Sequence, residues 1–122
     1  MRSFFFDTYA FYEIIVGNQN YLPYTKDVKI VTTQLNLMEL YYHLLALYNK
    51  EEALELFNRY AEFVVPVSNS MIIEAMDFRK QHYKKDLSYV DSIGYTIAKK
   101  MNIKYLTGDR QFENIENVEF VK

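Results

Sequence analysis

Three phenylalanines in a row, Phe4, Phe5 and Phe6, stop abruptly on an acid, Asp7. Successive side chains of a strand point to opposite faces, so an unbroken apolar run is stable only where both faces are covered. The central strand of a parallel sheet between helical layers meets that condition. The run therefore commits the chain to an α/β fold and places one carboxylate at the C-terminal end of the central strand. Asp7 and Thr8 then open a helix, Tyr9 to Val16, which Gly17 and Asn18 close.

The alternation continues along the chain. Val28 to Thr32 is a second strand, rich in β-branched residues, and Thr33 caps the segment Gln34 to Tyr48, where Leu37, Leu40, Tyr41, Leu44, Leu45 and Tyr48 recur at helical spacing. Lys50 to Phe63 is a further helix. Phe63 to Val67 is a third strand, kept short or at an edge because Pro66 has no N–H for a ladder. Ser68 or Asn69 caps a helix to about Tyr83, and Ser88 with Asp91 forms a capping box before a helix from Tyr89 to Met101. Ile103 to Leu106 and Val118 to Val121 supply the fourth and fifth strands, while Asn20 to Asp27, which contains Pro23, is allowed no more than a helical turn. The expected architecture is one domain, residues 1–122, with helices on both faces of a mostly parallel five-stranded sheet.

Composition removes several function classes. The three glycines, Gly17, Gly94 and Gly108, lie too far apart for a dinucleotide fingerprint or a phosphate loop. Without cysteine there are no disulfides or thiolate metal sites, and a reducing, cytoplasmic setting is expected. No run approaches the roughly 20 apolar residues needed to span a bilayer. A net charge of −2 argues against nucleic-acid binding by bulk electrostatics but is compatible with a nuclease whose acids cluster around metal ions.

Four acids are candidates for such a cluster. Ligands of an open parallel sheet collect beyond the C-terminal ends of its strands, and Asp7 and Asp109 follow the first and fourth strands. Glu39 lies mid-helix among Leu35, Leu37, Met38 and Leu40, where an unpaired carboxylate needs a partner or a metal. Each has a plainer explanation: Asp7 as an N-cap, Asp91 as a capping-box residue, Asp109 as a turn residue, Glu39 on a solvent-facing stripe or paired with a lysine. Together they match the needs of Mg²⁺ or Mn²⁺, hard ions that take carboxylate, water and phosphate oxygens. Two such ions about 3.5–4 Å apart clamp a phosphodiester for in-line displacement. Arg110, next to Asp109, is the cation best placed by sequence to meet phosphate, and His43 and His82 are read as structural.

These segments resemble the PIN domain nucleases, in particular the toxins of VapBC-type toxin–antitoxin pairs. Phe4-Phe5-Phe6-Asp7-Thr8 is similar to the family's first strand and acid, Thr33, Asn36 and Glu39 to its hydroxyl, amide and glutamate, Leu87-Ser88-Tyr89-Val90-Asp91 to its third acidic segment, and Leu106-Thr107-Gly108-Asp109 to its fourth. Gly94 and Tyr95 depart from the small aliphatic residues often found after the third acid, and the tyrosine-rich segments, including Tyr21 and Tyr24, are unusual. The resemblance implies a PIN-like three-layer α/β/α sandwich with strand order 3-2-1-4-5. It also implies Mg²⁺- or Mn²⁺-dependent endoribonuclease activity, homodimerisation and inhibition by an antitoxin protein. On this reading Asp7, Asp91 and Asp109 hold the catalytic metal, Glu39 binds a second ion or orients the attacking water, and Thr8, Asn36 and Thr107 support them. The rival expectations are a PIN nuclease that processes RNA and a PIN-like interaction module without catalysis.

Overall fold

A computed structural model describes residues 1–122. Its centre is β1 (Arg2–Phe6), flanked in parallel by β2 (Val28–Val31) on one side and β3 (Lys104–Thr107) on the other, with β4 (Val118–Phe120) parallel beyond β3. Phe5 and Phe6 are wholly buried. Phe4 and Phe6 enter one apolar cluster and Phe5 the other, as the alternation of a doubly covered strand requires.

The first cluster is roofed by α1 (Thr8–Ile15), α2 (Gln34–Leu44) and α3 (Lys50–Tyr60), through Phe11, Leu37, Leu40, Leu44 and Ala53. The second is roofed by α4 (Asn69–Gln81) and α5 (Tyr89–Lys100), through Ala75, Ile93, Tyr95 and Ile97. This is the expected three-layer α/β sandwich, with one correction. The sheet has four strands, order β2-β1-β3-β4, and the strand expected over Phe63 to Val67 shrinks to a single parallel bridge between Thr32 and Val64. Thr32 N–H donates to the Phe63 carbonyl and Val65 N–H to that of Thr32. Pro66, without an N–H, follows immediately and cannot extend the ladder. That bridge lies outside β2, so the lateral order still reads as expected.

Helix ends follow local capping. The segment expected to run as one helix to Tyr48 ends at Leu44, because Asn49 and Glu52 form a reciprocal capping box that starts α3. The Pro23 segment is a 3₁₀ helix, Gln19–Tyr24. Its two unusual tyrosines are buried with their hydroxyls donated at 2.6 Å, Tyr21 to the Val121 carbonyl and Tyr24 to the Glu119 carboxylate. They fasten β4 and the residues after it to the first half of the chain.

Candidate active site

Four elements deliver acids to one place. Asp7 follows β1 and caps α1, its Oδ1 accepting the Ala10 N–H at 2.8 Å. Glu39 projects from α2. Asp91 sits in the first turn of α5 and accepts the Ser88 N–H at 3.0 Å, while Asp109 follows β3 and accepts the Gln111 N–H at 3.0 Å. Because β1 and β3 are parallel neighbours, their C-terminal ends coincide and both acids emerge at the same edge. All four line a single cavity of about 570 Å³.

The three plain explanations for Asp7, Asp91 and Asp109 are thus true and insufficient, since each acid caps a helix or turn and also faces the cavity. Asp7 is buried, and burial raises its pKa from 3.8 to about 8 against the relief given by the Thr107 hydroxyl and the Ala10 N–H, with Asp91 and Asp109 adding repulsion. Burial likewise raises Asp91, with Asp109 and Glu39 contributing.

Glu39 is half-buried and finds its partner in Thr8, whose hydroxyl donates to Oε1 at 2.8 Å. A short relay stands behind that bond. The Thr33 hydroxyl donates to Asn36 Oδ1 at 2.6 Å, which turns the amide so that its Nδ2 reaches the Thr8 oxygen at 3.4 Å. Asn36, Thr33 and Thr107 are all buried beneath the cavity residues they serve. Thr107 also accepts the Asp109 N–H at 3.1 Å.

Arg110 is not part of the lining; it is exposed and lies 4.0 Å from Glu113. The lining instead includes residues that the sequence did not single out, Tyr9, Tyr12, Glu13, Ala46 and Leu47, together with Ser88, which the sequence offered only as a cap. The signal for Tyr9 and Glu13 was their four-residue spacing on a helix already opened by Asp7. His82 is structural as expected, its Nδ1 3.0 Å from the Phe78 carbonyl. His43 lines the cavity one helical turn beyond Glu39.

The donor set suits a hard divalent cation, because carboxylates crowded enough to raise one another's pKa are relieved by positive charge. No three His, Asp or Glu side chains close directly around a point that would hold an ion. The arrangement fits an ion that takes one or two carboxylates and completes its shell with water and phosphate, the habit of Mg²⁺.

A family model described as PIN domain matches residues 4–118. Among solved structures, the chain resembles VapC20 of Mycobacterium tuberculosis, a sarcin-ricin loop cleaving toxin, at 20% identity and TM-score 0.76, covering 98% of this chain and 99% of that one. It also resembles VapBC2 of Rickettsia felis bound to a promoter DNA fragment, at 17% identity and TM-score 0.75 over 98% and 99%. A toxin-antitoxin complex from Klebsiella pneumoniae matches at 15% identity and TM-score 0.74 over 94% of each chain. A sequence search of curated proteins finds no match.

Proposed function

The chain belongs to the PIN domain family, and from that premise we propose that it is a metal-dependent endoribonuclease acting as the toxin of a VapBC-type pair. The observation that carries this reading is the convergence of Asp7, Glu39, Asp91 and Asp109 on one cavity at the C-terminal edge of the sheet. Bound Mg²⁺ or Mn²⁺ supplies charge neutralisation at the phosphate and makes water a stronger nucleophile at neutral pH.

The chain's own residues set the geometry. Asp7, Asp91 and Asp109 hold the cation. Glu39, kept in one orientation by Thr8, binds a second ion or directs the attacking water at phosphorus. Asn36 and Thr107 keep those groups in place from beneath. The interaction-module alternative is disfavoured by Asp7, since burying that carboxyl beside two others is costly without a cation to justify it.

Likeness to toxins crystallised with antitoxins favours the toxin role over RNA processing. An antitoxin and a second copy of the chain are the proposed protein partners, and the exposed Met38, Tyr42 and Leu45 of the α2 region offer apolar surface for such contacts. The test is cleavage of single-stranded RNA with Mg²⁺ or Mn²⁺. Wild type should cleave and chelator should stop it, while Asp7→Asn should lose about 10²-fold or more, as when a group stabilising a transition state is removed. Robust cleavage by Asp7→Asn would sink the assignment. Expression should arrest growth, with rescue by the product of an adjacent gene; unimpaired growth would point to RNA processing instead.

A further inference from the structure

The charged groups of the cavity are nearly all of the sign that repels RNA. Of its 12 lining residues, Asp7, Glu13, Glu39, Asp91 and Asp109 are acids, and none is lysine or arginine. A cation held by the acids answers one phosphate, but a strand entering the cavity brings its neighbours too. Neutral hydroxyls can contact a further phosphate, but only a positive donor offsets its charge. Two nearby cations stay outside the lining: Arg110 is exposed and lies 4.0 Å from Glu113, and the Lys122 ammonium donates to the Gly108 carbonyl at 3.2 Å and stands 5.2 Å from the ring of Tyr9.

His43 is the one basic side chain in the lining. It is exposed, it sits in the last turn of α2, where the helix dipole favours positive charge, and its ring meets that of Tyr42 edge-on at 6.0 Å. Four residues of helix separate it from Glu39, a rise of about 6 Å along the same face. That step is comparable with the distance between adjacent phosphates of an extended single strand. Ala46 and Leu47, in the turn after α2, continue the wall as an apolar stretch suited to a sugar or base.

We infer that His43 binds the phosphate adjacent to the scissile one, so that the Glu39 to His43 face of α2 sets the register of a single-stranded RNA in the cavity. This rests on the nuclease reading above and adds to it a phosphate-binding residue and a register for the strand. A histidine in a merely structural role would be indifferent to the charge of its replacement, whereas a phosphate-binding one is not.

The experiment is steady-state cleavage of a single-stranded RNA with Mg²⁺ by wild type, His43→Ala, His43→Gln and His43→Lys, each checked for an unchanged thermal melt. His43→Ala and His43→Gln should raise KM about tenfold, the scale of a lost charge-assisted hydrogen bond, with kcat little altered. His43→Lys should restore KM. In an Asp7→Asn background, which removes turnover, His43→Ala should also weaken RNA binding and flatten its salt dependence. An unchanged KM in His43→Ala, or a His43→Lys variant as poor as His43→Ala, overturns this inference alone when wild type cleaves normally. Absence of both cleavage and RNA binding by wild type overturns the nuclease reading and this inference with it.

Discussion

At the scale of single residues, Thr8 shows how a side chain at the start of one helix can govern a carboxylate on another. Its hydroxyl has one proton, and the 2.8 Å bond to Glu39 takes it in preference to the Asn36 carbonyl at 3.3 Å. The Asn36 amide then supplies the donor that the Thr8 oxygen accepts. Thr8→Val keeps the shape and removes the proton. Its kcat/KM should fall about 10- to 100-fold, the usual cost of losing a group that orients a metal-site ligand, while the urea midpoint moves little. Thr8→Ser should retain most activity. A Thr8→Val enzyme as active as wild type would show that Glu39 needs no such fixing.

At the scale of elements, the packing of α5 on the sheet explains a departure from the family pattern. A Cβ on Gly94 would stand 2.7 Å from Phe5 Cε1 and 3.1 Å from Tyr105 Cε1. Bulk has moved from the helix to the strands, where Phe5 and Tyr105 stack at 5.5 Å, and α5 presents hydrogen to them. Gly94→Ala should therefore destabilise the protein by about 1–3 kcal/mol despite alanine's better helix propensity, read as a lower denaturant midpoint. Phe5→Leu in the same chain should recover part of the loss. A Gly94→Ala variant more stable than wild type would mean that the strand aromatics shift at no cost. Since α5 carries Asp91 and Asp7 directly follows β1, the same packing fixes the distance between two of the acids.

At the scale of the whole molecule, the convergence of acids should make stability depend on pH and on divalent cations. The Asp7 carboxyl is protonated in both states below its unfolded pKa of 3.8; between there and the folded value of about 8 the unfolded chain releases its proton while the folded one retains it. The folded state binds more protons, so this contribution to stability is fully present near pH 4 and is lost as pH rises toward 8. In chelator, wild type should lose stability across that window relative to Asp7→Asn. Millimolar Mg²⁺ or Mn²⁺ should restore it at pH 8, because an ion binding only the folded state stabilises by mass action. A wild-type melt that rises with pH more steeply than that of Asp7→Asn would contradict the assignment.

Much of this was written locally. The triple phenylalanine required cover on both faces, the caps at Asp7, Thr33, Asn49 and Ser88 set where helices start, and the acids could be named because each stood at a recognisable strand end, cap or apolar helix. Even the weakness of the third strand was legible in Pro66, though not its reduction to one bridge. What the sequence could not determine were distances between segments far apart along the chain. Thr8 donates to a carboxylate 31 residues away, and Tyr21 is tied to a carbonyl 100 residues on. The place of His43 in the cavity wall was set only by the closing of α2 against α1 and α5. Local propensity follows from backbone sterics and side-chain periodicity within a few residues. A site made of groups from four elements exists only once tertiary packing has brought their ends together.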